Sequence, residues 1–159
     1  MNCMNNDILF QIDSKSAETT ETIAAAIGAR MRGGEVIALI SDLGGGKTAF
    51  VRGLANGMGS ADHVSSPTFT ISRQYNASSL KLYHYDFYRL QEAGILSLEL
   101  TEVLEDPFAV VAVEWGEIVK GVLPEDLLTV NIIRTGETRR HISLGAPEKY
   151  RYMFDGLEI

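Results

Sequence analysis

The chain has 159 residues, 45% of them hydrophobic and 22% charged, which suits one domain over 1–159 with a real core and is too short for two. Its formal charge of −7 and pI near 4.9 argue against a broad basic face that grips nucleic acid, and favour a protein partner or a small nucleotide. Cys3 is the only cysteine, so a disulfide framework and a cysteine-based zinc site are excluded, as a reducing cytosol would have it. Met1 to Asp7 is polar and no apolar run is long enough to cross a bilayer, so neither a secretory leader nor a membrane anchor is expected.

Ile8 to Ile12 alternates as a short strand. Ser16 then opens a helix with Glu18 and Glu21 in its first turns and Ile23, Ile27 and Met31 along one face; Arg30 and Arg32 complement its dipole before Gly33-Gly34 stops it. Strand Glu35 to Ile40 follows, and a helix from Lys47 to Met58 shows one apolar stripe of Phe50, Val51, Leu54, Ala55 and Met58. Beyond the proline-fixed segment Ser65 to Thr68, two strand-like runs, Phe69 to Tyr75 and Leu80 to Tyr88, are joined as a hairpin by Asn76 to Ser79. In the second run, Leu82, His84 and Asp86 share one face and Tyr83, Tyr85 and Phe87 the other. Leu90 to Leu104 reads as helical with a break near Gly94 to Ser97, and Asp106-Pro107 ends it. The apolar run Phe108 to Val113 then suits a central strand buried on both faces. Leu127 to Ile133 and Arg140 to Leu144 form a second hairpin around Thr135 to Thr138.

Ser41-Asp42-Leu43-Gly44-Gly45-Gly46-Lys47-Thr48 lies where the first apolar strand meets the second helix, the proper context of a phosphate-binding loop. Glycines let successive N–H groups point into one concavity and the helix N-terminus adds positive potential. Lys47 reaches β- and γ-phosphates and the Thr48 hydroxyl can ligate Mg²⁺. Ser41 stands where the usual motif has its first glycine, which is admissible if its φ stays negative.

In open α/β sheets ligands bind beyond the carboxyl ends of the strands, and the loop, Asp86 and Glu114 each follow or end such a strand, so they should face one crevice. Glu114 has the form of a Walker-B acid, able to reach Mg²⁺ held by Thr48, against the alternative of pairing with a surface base. Asp86 suits orienting or deprotonating an attacking water; its alternative is a structural partner for His84 or Arg89. Thr68 occupies the place of a γ-phosphate-sensing switch or is a simple turn residue. Trp115 either stacks near a nucleotide or packs in the core. His63, His84 and His141 show no metal-ligand spacing. Arg134, Arg139, Arg140 and His141 read as an exposed basic hairpin, with RNA or an acidic partner as the less favoured alternative, and Asp42 and Arg52 flank the loop without an assigned task.

The ordered set Asp42 to Thr48, Val51-Arg52-Gly53, Ser66-Pro67-Thr68-Phe69, Tyr83 to Leu90, Val113-Glu114-Trp115 and Leu123-Pro124 resembles the bacterial TsaE family, also called YjeE, directly over about half of the chain. That resemblance implies an α/β, P-loop NTPase-like three-layer fold with a mixed central sheet containing β-hairpins. It also implies an ATPase, with ATP/ADP and Mg²⁺ as cofactors, required for making threonylcarbamoyladenosine in tRNA. Such an ATPase works as an accessory to the TsaB–TsaD pair in repeated cycles, with tRNA at most indirectly touched and no membrane. By the same resemblance Lys47 holds phosphates and Thr48 and Glu114 organise Mg²⁺. Thr68 belongs to a switch-like segment, Asp86 and Trp115 match functional positions, and Thr20 matches a threonine that approaches the nucleotide. The usual Gly-Asp-Leu-Gly-Ala-Gly-Lys-Thr-Thr is here altered at Ser41, Gly45 and Ala49: Gly45 is expected to add flexibility, and Ala49 removes a hydroxyl able to contact an α-phosphate. A small-molecule kinase and a weakly hydrolysing nucleotide-dependent scaffold are the competing expectations; the first lacks an evident arginine-rich lid.

Overall fold

A computed structural model describes residues 8–42 and 44–158, with side chains from residue 10 onward. The expectations for Met1 to Asp7, Cys3 and Leu43 lie outside the described residues. A seven-stranded sheet is the frame: β1 (Ile8–Ser14), β2 (Val36–Ile40), β3 (Ser72–Asn76), β4 (Lys81–Asp86), β5 (Ala109–Glu114), β6 (Leu128–Arg134) and β7 (Arg140–Gly145), in the order β1-β7-β6-β2-β5-β4-β3. β6, β2, β5 and β4 run parallel, while β7 and β3 are antiparallel to their neighbours, so hairpins close both flanks of a parallel centre. The fold is thus the mixed α/β sheet with hairpins that was expected.

Period-two alternation divides the core. Leu82, Val110, Ala112, Leu128 and Val130 pack under α1 (Ala17–Gly28) and α2 (Lys47–Gly57), whereas Tyr85, Phe87, Val111 and Val113 pack under α3 (Leu96–Glu105) and the short 3₁₀ turn Gly116–Val119. β5 is buried along its whole length, as a central strand in a three-layer fold must be. α1 and α2 approach closely, because a Cβ on Gly53 would lie 2.3 Å from the Glu21 carbonyl oxygen.

Several boundaries differ from the sequence reading. α1 starts as expected, with Ser16 accepting from Thr19 N–H at 3.1 Å, but ends at Gly28. Arg30 and Arg32 therefore do not serve its dipole: Arg30 donates to the Asp155 and Gly156 carbonyls, and Arg32 stacks 3.9 Å from the Tyr152 ring centroid. The strand expected from Phe69 begins only at Ser72, because the Pro67 carbonyl accepts from Thr70 and Ile71 N–H and closes a turn that leaves Ile71 at φ 70° and Phe69 82% exposed. β4 ends at Asp86, where the Asp86 carboxylate turns the chain by accepting from Tyr88 N–H. Leu90 to Ile95 stays outside α3, which starts after Gly94 at φ 51°; the anticipated break is the true helix start. Phe108 lies just before β5 and is 59% exposed, so the buried run begins one residue later than its apolar character suggested.

Candidate active site

β2, β5 and β4 end at one edge. Leu39 pairs with Glu114 and Glu114 with Asp86, so the end of β2 that feeds the loop, the β5 acid and the β4 acid stand side by side. The loop leaves β2 and enters α2 with Gly44 at φ 73° and Gly46 at φ 107°, left-handed conformations that glycine accepts without strain. Gly46 is the N-cap and no side chain caps α2, so the first N–H groups of the helix are open to an anion together with its dipole. Among the described residues only Ile71 and Trp115 combine a side chain with positive φ, so Ser41 has the backbone the loop demands. Gly45 is also sterically confined. A Cβ built there would meet Ser41 Oγ at 1.6 Å and the Asp42 carbonyl oxygen at 2.8 Å, so the serine fills the space that a larger residue 45 would need.

Lys47, 7% exposed, donates to the Ser41 carbonyl at 3.1 Å and the Asp42 carbonyl at 3.4 Å, and its Nζ lies 4.0 Å from Glu114 Oε2. Thr48 is half-buried beside it, whereas Ala49 is buried and can offer a phosphate only its backbone. Asp42 is exposed, and Arg52 points away from the loop to Glu21 on α1 at 2.7 Å.

Glu114 is 4% exposed and does not pair with a surface base. Its Oε1 is 2.8 Å from His84 Nε2 and its Oε2 turns to Lys47. Asp86 is not the partner of His84 or Arg89: Oδ2 accepts from the Thr68 hydroxyl at 2.8 Å and Oδ1 from Tyr88 N–H at 3.0 Å. Arg89 instead stacks 4.4 Å from the Phe69 ring centroid. Thr68 thus ties the segment after α2 directly to the β4 carboxylate. Trp115, left-handed at φ 55° and 41% exposed, is not a core residue; its ring lies 5.4 Å from Lys47 Nζ and 5.0 Å from the Tyr88 ring. Thr20 is buried at the start of α1 with its hydroxyl 2.7 Å from Ser14 Oγ.

Two residues the sequence reading set aside belong here. Arg140 is not simply part of an exposed basic hairpin: β7 begins at the loop's edge of the sheet, and Arg140 Nε donates to the Gly45 carbonyl at 2.8 Å while Nη1 donates to the Arg139 carbonyl at 2.8 Å. Spacing holds no hint of this, since the contact joins residues 95 positions apart. Arg140→Ala frees the loop from the hairpin and is expected to weaken ADP binding roughly tenfold, the size of a lost hydrogen bond from a charged donor. Arg140→Lys should recover little, because an ammonium does not reproduce the guanidinium fork; nucleotide titration of the two variants checks both. His84 is the other, and its signal was in the sequence, on the face that Asp86 shares.

A glycine cradle at a helix N-terminus, a lysine within it and a carboxylate closing the neighbouring strand define a P-loop nucleoside triphosphatase. A family model described as "Threonylcarbamoyl adenosine biosynthesis protein TsaE" matches residues 14–142, and the chain belongs to this family. It is 40% identical over 129 residues to the tRNA threonylcarbamoyladenosine biosynthesis protein TsaE of Bacillus subtilis, covering 81% of this chain and 80% of that protein. The TsaE protein of Treponema pallidum is 35% identical, over 82% of this chain and 96% of its own length. The crystal structure of Bacillus subtilis YdiB superposes with a TM-score of 0.76 at 32% identity, covering 92% of this chain and 91% of that one. The chain is accordingly an ATPase accessory factor of tRNA threonylcarbamoyladenosine biosynthesis. No helix among the described residues is long and apolar enough to cross a membrane.

Proposed function

We propose that the chain hydrolyses ATP in the crevice between the loop, Thr68, Asp86, Glu114 and Trp115, and that each turnover returns a TsaB–TsaD complex to the start of another modification cycle. The observation that supports this best is the shared edge, with Lys47 Nζ 4.0 Å from Glu114 and Asp86 in register with Glu114. Backbone N–H groups from Asp42 to Ala49, Leu43 included, would cradle the phosphates, and Lys47 would exchange the Ser41 and Asp42 carbonyls for β- and γ-oxygens. Thr48 and Glu114 are the residues to hold Mg²⁺. One hydroxyl and one carboxylate suit Mg²⁺, which keeps several waters and takes phosphate oxygens as its other ligands. Bound there, the ion neutralises charge on the transferring group. Asp86 is suited to orient the attacking water and receive its proton, with Thr68 fixing one carboxylate oxygen. Trp115, beside Lys47 and partly exposed, would cover the nucleotide and keep solvent from the phosphates, whereas Thr20 would reach it only by leaving Ser14. The acidity of the chain favours the protein complex over tRNA as the surface it meets.

The test is reconstitution of tRNA modification with TsaB, TsaC and TsaD. The intact chain should sustain many rounds per TsaD and release phosphate without any phosphorylated metabolite, while Lys47→Ala should stall near one round. An intact chain that performs no better than its omission refutes the reading, and phosphate delivered to a small acceptor replaces it with a kinase.

A further inference from the structure

His84 lies behind Glu114, away from the phosphate-binding residues, and is wholly enclosed. It is 0% exposed, Nε2 lies 2.8 Å from Glu114 Oε1, and Nδ1 is buried with no hydrogen-bond partner. On the sheet His84 is the register partner of Ala112, whose small side chain leaves the imidazole room to reach along the strand to Glu114 on the same face. A ring that only filled space between sheet and helices would be replaced at less cost by an apolar residue, since a buried polar atom without a partner is unfavourable. The one hydrogen bond it makes must therefore repay its burial. Because a carboxylate oxygen only accepts, Nε2–H is the donor to Oε1. That bond fixes the rotation of the carboxylate and leaves Oε2 as the oxygen facing Lys47 and the loop.

We propose that His84 is a positioning residue for Mg²⁺ binding: by holding Oε1 it presents Oε2 of Glu114 to the metal ion that accompanies the nucleotide. This rests on Glu114 being the acid that organises Mg²⁺. Partners that orient a metal ligand from behind commonly contribute about 10–100-fold to metal affinity. His84 touches neither nucleotide nor ion, and its effect is confined to the geometry of the carboxylate.

The experiment measures ADP affinity in EDTA and across a Mg²⁺ series for the intact chain, His84→Leu and His84→Gln. In the leucine variant the Mg²⁺ concentration giving half of the metal-dependent tightening should rise at least tenfold, with affinity in EDTA within about threefold of the intact chain. Glutamine supplies an N–H donor and should recover most of the loss. Equal Mg²⁺ dependence in all three overturns the proposal while leaving Glu114 as the metal acid. A matching loss of affinity in EDTA overturns it in favour of a purely structural histidine. If the intact chain shows no Mg²⁺ dependence, the reading of Glu114 itself fails and the proposal with it. Should the leucine variant not fold, ¹⁵N-histidine NMR of the intact chain decides: the Nε2 resonance of His84 should move when Mg²⁺ is added to the ADP complex and not in Glu114→Gln, and an unmoved resonance overturns the proposal.

Discussion

Glu114→Gln should lower ATP turnover by about a hundredfold or more while leaving the fold intact. Its reason is that the amide keeps an acceptor oxygen for His84 but loses the charge that faces Lys47 and the metal position. Glu114→Ala is the harsher change and mixes two effects. It removes the carboxylate from the site and also leaves the buried His84 without its hydrogen-bond partner, while Lys47 loses the nearby negative charge but keeps the Ser41 and Asp42 carbonyls. Leaving a buried polar group unsatisfied costs about 1–3 kcal/mol, so the alanine variant should melt below the intact chain. Comparing the two separates chemistry from stability: turnover should fall in both, melting temperature chiefly in the alanine variant. Steady-state phosphate release together with thermal melting checks this. A glutamine variant that turns over within threefold of the intact chain would remove Glu114 from the catalytic machinery.

The second large effect belongs to Ser41 and Gly45 as a pair. Gly45→Ala alone is expected to weaken nucleotide binding by about thirtyfold or more, because its methyl group would sit 1.6 Å from Ser41 Oγ and 2.9 Å from Ser41 Cβ and must displace the loop. Rotating the serine hydroxyl away relieves only the first contact, and the Asp42 carbonyl oxygen at 2.8 Å has to shift slightly wherever residue 45 is alanine. Ser41→Gly alone should change affinity by no more than about threefold, since it removes one long hydrogen bond to the Asp42 carbonyl and adds backbone freedom. The double variant Ser41→Gly with Gly45→Ala should bind much more tightly than Gly45→Ala alone, with a coupling of about 1–3 kcal/mol. This is the arrangement of the pattern Gly-Asp-Leu-Gly-Ala-Gly-Lys-Thr-Thr, in which volume removed at position 41 is restored at position 45. Isothermal titration with ADP of the two single variants and the double gives the cycle. Strict additivity would mean that the two positions adjust independently and would sink the steric account.

Much of the candidate site was legible because its parts are local or lie at strand ends. The loop is written in consecutive residues, and period-two alternation correctly put His84 and Asp86 on the same face as Leu82. Apolar runs ending in Glu114 and Asp86 pointed to one edge because parallel strands share a carboxyl side, and β2, β5 and β4 are indeed adjacent. What was lost at the boundaries has equally local causes of another kind: a proline carbonyl that captures Thr70 and Ile71, and an aspartate that turns its own strand at Tyr88, are hydrogen-bond choices that hydropathy does not record.

From the sequence by itself came the α/β class, the phosphate loop with its lysine, the acids at the ends of two strands and the family they together resemble, since these depend on periodicity and on contiguous residues. Tertiary structure alone decided the partners. It joined His84 to Glu114 across 30 positions, Thr68 to Asp86 across 18, and Arg140 to the loop across 95. It also showed that Ser41 and Gly45 are one steric unit and that Trp115 stands at the surface beside Lys47. The reason is physical: a residue's type and spacing declare what it can donate, accept or bury, but which group satisfies it depends on strand order and on which side chain leaves room, and those follow from packing the whole sheet.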